Sequence, residues 1–373
     1  MSIVIIGGGL AAGTAVTELR EKGYDGEVVV FAAEQHPPYE RPPLSKDVLL
    51  GKKGVEAALV HDADWYAAHD VQLHIGTRVT GIDPAAHTVT AGDETVRYDR
   101  LLIATGAQPR HFALADRVAS PVYLRTMEDS AGLKERLVAG AKVVIVGAGW
   151  IGLEVAAAAR NADAQVTVYE VAELPLVRVL GPEIAQVFAD LHRAHGVDLR
   201  LNTSVTEEEM AAADVLVVGV GAAPDTALAE AAGLPVDNGI LVDATLCTSD
   251  PDIFAIGDVA NHDHPVLGRR LRVEHWDTAI EQGKVAAHNL LGAGEPYTHL
   301  PYFFTDQYDL GMEYFGSVGP EGYDRVDVEG DTDAANGGAF RAYWVAGGTV
   351  VAAMQANDWD ASEAVRDSVG TAR

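Results

Sequence analysis

The sequence predicts an α/β chain with two doubly wound parallel sheets and a smaller α+β part at its C-terminal end. Two observations predict it. A strand, glycine turn, helix, strand arrangement occurs twice, and from about residue 299 the alternation of strands and helices gives way to hairpin-like segments.

The first copy opens the chain. Residues 2–6 (SIVII) are a short apolar run, GGGLAAG follows, TAVTELREKG is periodic as a helix and stops at Gly23, and EVVVF (27–31) is the next strand. The second copy runs KVVIV (142–146), GAGWIG, LEVAAAARNADA and QVTVY (165–169). Continuous apolar strands of this kind have both faces covered by helices. The glycines have separate tasks: a tight turn, close approach of a pyrophosphate to the backbone, and close packing of helix on strand. The anion then rests on unpaired N–H groups at the helix N-terminus. Two copies therefore predict two Rossmann-like, dinucleotide-binding domains.

The copies differ. Gly147, Gly149 and Gly152 complete the second pattern, and Glu170 ends its next strand. A carboxylate there accepts from a ribose diol and repels a 2′-phosphate, so NAD(H) is expected over NADP(H). In the first copy Gly7 and Gly9 are present but Ala12 takes the third place, and Glu34 is the first acid after the strand. YDRLLIATGAQPR (98–110) brings a strand into the Thr105-Gly106 turn. IFAIGDVA (253–260) ends a buried strand at Gly257-Asp258, where an Asp can hold a ribityl hydroxyl of FAD.

Bulk properties exclude several classes. The 373 residues carry a formal charge of −28, which disfavours nucleic acid and anionic membranes as partners. No apolar run approaches the roughly 18–20 residues of a membrane span. The single Cys247 rules out a CxxC redox pair, and a cytoplasmic setting is expected.

PPYERPPLSK (37–46) is stiffened by four prolines around Tyr39-Glu40-Arg41 and ends on Lys46. Together with VVIVGAGWIGLEVAA (143–157), TSDPDIFAIGDVA (248–260), VEHWDTAIEQGKVAAHNLLG (273–292) and PYFFTDQYDL (301–310), it resembles the FAD-dependent, NADH-utilising ferredoxin reductases that serve oxygenases. The resemblance covers nearly the whole chain. It implies that Lys46 lies near the reactive flavin N5 and pairs with Glu154. It makes Ala11, Arg41, Val79, Thr105, Gly106 and Arg125 FAD contacts, Asp258 the ribityl contact and Trp276 a flavin-facing side chain, unless that Trp is simply core. Gly219 and Gly221 would let backbone approach the nicotinamide half of NADH.

The implied reaction is hydride transfer from NADH to FAD, then release of single electrons to a [2Fe–2S] ferredoxin that supplies an oxygenase. An NADH oxidase, a reductase of quinones or other small acceptors, and a flavin redox sensor are the alternatives. The FAD domain is expected at 1–112 and 245–298, the NAD domain at 113–244 and a C-terminal domain at 299–373. Arg269, Arg270 and Arg272, the densest basic cluster, are a candidate docking patch. Three departures from the family pattern stand out: the strand-end acid is at Glu34 rather than Ala33, Phe304 replaces a tryptophan, and 201–219 lacks most of a hairpin.

Overall fold

Strands Ser2–Ile6 and Glu27–Phe31 pair in parallel, as their unbroken apolar character requires, and the sheet grows outward from them. The computed structural model describes residues 1–320 and 322–373, and they divide into two units. The first comprises Met1–Arg41, Glu56–Gln108 and Ala222–His299; the second comprises Pro42–Val55, Pro109–Gly221 and Leu300–Arg373.

In the first unit five parallel strands lie in the order Ile253–Ala255, Arg100–Ile103, Ser2–Ile6, Glu27–Phe31, Val71–His74. Helices Leu10–Glu21 and Trp276–Leu290 pack on each other closely because Gly283 has no side chain: a Cβ there would stand 2.9 Å from the Ala11 carbonyl oxygen. A three-stranded antiparallel meander, Val79–Asp83, Thr88–Ala91 and Glu94–Arg97, completes the crossover between two of the parallel strands.

The second unit holds the other βαβ copy. Its parallel strands run Asp198–Arg200, Gln165–Tyr169, Lys142–Val146, Val215–Val218. The missing family hairpin is replaced by a short helix, Glu207–Ala211, started by a capping box between Thr206 and Glu209. The same unit carries a five-stranded antiparallel sheet in the order Tyr302–Gln307, Leu310–Gly316, Thr349–Ala356, Phe340–Ala346, Arg325–Gly330. Its central hairpin turns at Gly347 and Gly348, both at positive φ, as a two-residue primed turn requires. The acidic, glycine-rich segment 329–338 gives its first two residues to the edge strand Arg325–Gly330 and then closes in a 3₁₀ turn, Ala334–Asn336. No helix among the described residues is long and apolar enough to cross a membrane.

Candidate functional site

Both glycine turns lead into a helix whose N-terminus no side chain caps. Gly7 has φ +133°, and a Cβ on it would stand 2.1 Å from the Ala104 carbonyl oxygen, so strand and turn can meet only at glycine. Gly9 is different. Its backbone is extended, no side chain caps the helix behind it, and a Cβ there would meet nothing within 4 Å. The first intrahelical bond to this end is donated by Gly13 to the Gly9 carbonyl, which leaves the N–H groups of Leu10, Ala11 and Ala12 without helical acceptors. Space plus unspent donors is what a pyrophosphate needs. Ala12, fully buried, takes the third motif position, and close packing comes instead from Gly8 against Ala32 and Gly13 against Pro38.

The second turn repeats this. Gly147 has φ +100° and abuts the Gly219 carbonyl, and a Cβ on Gly152 would fall 2.1 Å from the Gly147 oxygen. Gly149 is extended, uncapped and open, its nearest neighbour to a Cβ being Gly219 oxygen at 4.0 Å. Gly221 accepts a hydrogen bond from Arg110 N–H at 2.9 Å. Glu170 accepts from Ala148 N–H at 2.8 Å with one carboxylate oxygen and from Ala172 N–H at 2.9 Å with the other. Each oxygen keeps a second acceptor site.

In the first unit every residue of the Tyr39-Glu40-Arg41 step is engaged. Tyr39 is fully buried, and its hydroxyl donates to Glu34. Arg41 Nη2 donates to the other Glu34 oxygen at 2.7 Å and lies in the field of Asp258. Glu40 accepts from the indole N–H of Trp276 at 3.1 Å. Trp276, first residue of its helix, is only partly buried, so it is not a core tryptophan.

Asp258 sits in a 3₁₀ turn after Gly257, whose φ of +72° brings it against Ala11. Gln282, buried on helix Trp276–Leu290, accepts from Gly257 N–H at 2.8 Å. Sequence reasoning missed Gln282; it lies in a quoted segment, but nothing in its spacing shows which way it points. The Thr105 hydroxyl is spent on the Asp225 carbonyl at 2.7 Å, and Gly106 takes φ +72°, so this turn offers backbone. Val79 is a core side chain. It too can meet a ligand only through its main chain.

In the second unit Pro42–Ser45 forms a 3₁₀ turn, and Ser130 pins it by donating to the Leu44 carbonyl at 2.7 Å. Lys46 then reaches Glu154 at 2.6 Å. Glu154, 4% exposed on helix Trp150–Asn161, also accepts from Thr305 at 2.6 Å and from Ser45 at 2.5 Å. Phe304 places its ring centroid 5.3 Å from the Lys46 ammonium, a cation–π distance. Arg125 N–H donates to Asp129, the residue that closes a capping box with Thr126.

Arg270 donates to the Val242 and Asn261 carbonyls, and Arg272 to the Asp258 carbonyl and Glu274, so these two guanidinium groups tie loops together. Cys247 is half-buried with its thiol pushed up to about 11, first by burial and then by Asp243 and Asp250, so it stays protonated near neutral pH.

Residues 1–283 match the family model described as pyridine nucleotide-disulphide oxidoreductase. The chain is similar to the ferredoxin–NAD(+) reductase component of the anthranilate 1,2-dioxygenase system of Burkholderia cepacia. The two are 42% identical over 372 residues, covering 95% of this chain and 90% of that protein. It is 35% identical over 378 residues to putidaredoxin reductase of Pseudomonas putida, with 95% and 88% covered. Among solved structures it matches a chain of the covalent putidaredoxin reductase–putidaredoxin complex. The TM-score is 0.91 at 33% identity, over 100% of this chain and 94% of that one.

Proposed function

This chain belongs to the pyridine nucleotide-disulphide oxidoreductase family, and from that premise we propose that it is a FAD-dependent NADH:ferredoxin reductase. NADH is the donor, and a [2Fe–2S] ferredoxin that feeds an oxygenase is the acceptor. The observation that carries the reading is the presence of two open, uncapped glycine turns in one chain whose lone thiol stays protonated. Two dinucleotides without a dithiol leave the flavin as the point from which electrons depart. Bound FAD supplies the exchange between a two-electron donor and one-electron acceptors.

The residues divide by task. Leu10, Ala11 and Ala12 present N–H groups to the FAD pyrophosphate. Glu34 orients Arg41 and takes the adenosine side, Val79, Thr105 and Gly106 offer main chain, and Asp258 and Trp276 serve the ribityl chain and ring. Arg125, held through its main-chain N–H by Asp129, is assigned to FAD as well. Gly147, Gly149 and Gly152 receive NADH, with Gly219 and Gly221 at the nicotinamide half. Lys46, aimed by Glu154, stabilises negative charge developing on the ring. The domain division we propose is an FAD domain at 1–112 and 245–298, an NAD domain at 113–244 and a C-terminal domain at 299–373. A reducing cytoplasm suits a chain with one unpaired cysteine.

The decisive experiment follows NADH consumption by the purified protein with and without a [2Fe–2S] ferredoxin, measuring peroxide in parallel. Strong stimulation by ferredoxin is expected. Steady peroxide without stimulation would replace the proposal with an NADH oxidase, and a long-lived reduced flavin complex with neither would point to a sensor.

Glu170 tests the choice of nucleotide. Its carboxylate faces the ribose with acceptors to spare and meets a 2′-phosphate with like charge. Glu170→Ser is expected to raise the KM for NADH and to narrow the preference for NADH over NADPH by about tenfold, the effect of roughly 1.4 kcal/mol. An unchanged ratio of the two kcat/KM values would remove Glu170 from discrimination.

A further inference from the structure

The Lys46–Glu154 pair is one end of a longer hydrogen-bond chain, and its direction can be read outward from the carboxylate. A carboxylate only accepts, so the Thr305 hydroxyl, 2.6 Å away, gives its proton to Glu154. The Thr305 oxygen can then only accept, which fixes the amide of Gln307 with its NH₂ toward Thr305 at 3.2 Å. The amide carbonyl is left facing His192 Nε2 at 2.8 Å, so that nitrogen must carry the ring proton. His192 Nδ1 is therefore bare and faces the Tyr308 hydroxyl at 3.3 Å. Thr305, Gln307 and His192 are all buried, and burial lowers the imidazole to about 4, which keeps it neutral as this arrangement needs.

The Gln307 amide interrupts any proton relay, because it would have to tautomerise to pass a proton on. The chain can lock but it cannot conduct. At the carboxylate end, Asp306 lies in the fields of Lys46, Glu154, Asp47 and Lys52; at the other end His195 stacks on Tyr308.

We propose that Thr305, Gln307 and His192 are positioning residues for the reductase half-reaction: together they hold Glu154 in the one orientation that keeps Lys46 aimed. The proposal rests on the FAD and NADH reading above, but not on the identity of the electron acceptor. His192 lies in none of the segments that carry the resemblance, and Gln307, though inside PYFFTDQYDL (301–310), is given no partner by them, so neither is tied to Glu154 by sequence. Only the propagation of donor direction through the buried chain ties them to it.

The test uses the flavin-loaded protein and the NADH half-reaction alone, followed by rapid mixing without ferredoxin. Thr305→Val is expected to slow flavin reduction by about tenfold with the apparent KM for NADH little changed, and Thr305→Ser to retain the parent rate. Gln307→Leu, which cuts the chain one link further out, is expected to slow it by about threefold. A second readout does not depend on turnover. In the cofactor-free protein, chemical acetylation of Lys46, read by mass spectrometry, speeds up severalfold in Thr305→Val and Gln307→Leu, while Lys52 and Lys53 label as in the parent. Melting temperature reports general damage. Parent-like reduction and labelling in Thr305→Val would overturn the proposal, and so would Thr305→Ser behaving like Thr305→Val. Failure of ferredoxin to accept electrons would overturn the functional reading and leave this comparison intact.

Discussion

Glu154→Leu is expected to abolish productive reduction of the flavin by NADH, with a loss of at least about 100-fold, and to destabilise the protein by about 3 kcal/mol. The carboxylate is 4% exposed and accepts from Lys46, Ser45 and Thr305. Removing it leaves a mostly buried ammonium group without its counter-charge and two buried hydroxyls without their acceptor. A neutral isostere does little better. Glu154→Gln keeps one of the two oxygens that Lys46, Thr305 and Ser45 share and leaves the Lys46 ammonium without its counter-charge.

The stability and rate effects separate in the double replacement Lys46→Met with Glu154→Leu. Taking out both charges removes the uncompensated ion, so stability should return toward the parent value, as replaced buried pairs often show. The rate should not return, because the charge that we propose Lys46 supplies to the flavin is gone. Recovery of both would reduce the pair to a structural brace. Thermal melts and single-turnover reduction decide between these outcomes.

The second large effect comes from the glycines whose substitution leaves the fold intact. Gly7, Gly147 and Gly152 are poor probes, because a Cβ at each collides with main chain and the protein itself would suffer. Gly9 and Gly149 have extended backbones and space in front of them. Gly9→Val is expected to give a folded but colourless protein, with FAD affinity lowered by at least about 100-fold. Steric exclusion of a pyrophosphate from the helix end costs its charge-assisted N–H contacts.

Gly149→Val is expected to remain yellow and reducible by dithionite while its KM for NADH rises by a similar factor. The two variants thus assign one dinucleotide to each turn. Parent-like flavin content in Gly9→Val would take FAD out of the first turn. Flavin loss in Gly149→Val would exchange the assignments. Circular dichroism and melting curves verify that both remain folded.

Much of this was local and so legible in the sequence. The two glycine turns follow from apolar strand, small residue and periodic helix in immediate succession, although the carbonyls that Gly7 and Gly147 abut come from distant residues. The hairpin at Gly347-Gly348 is local as well. The Thr206–Glu209 capping box was equally open to reading, yet the segment was noted only for its missing hairpin. Lys46 and Glu154 needed the family pattern, because 108 residues separate them.

Other features existed only once the chain had folded. Arg270 and Arg272 look like a basic patch in one dimension and become loop ties in three, since the backbone carbonyls of Val242, Asn261 and Asp258 lie beside them. Gln282 and Gln307 are unremarkable amides in sequence. Burial turns each into the partner of a specific group, because a buried polar atom must find one. The sequence by itself determined the two dinucleotide turns, the acid at the end of the second strand and the absence of a dithiol. The tertiary structure alone decided the direction of the hydrogen-bond chain ending on Glu154. Donor and acceptor sense is passed from one buried group to the next, and those groups come from residues 46, 154, 192, 305 and 307, which only packing brings together.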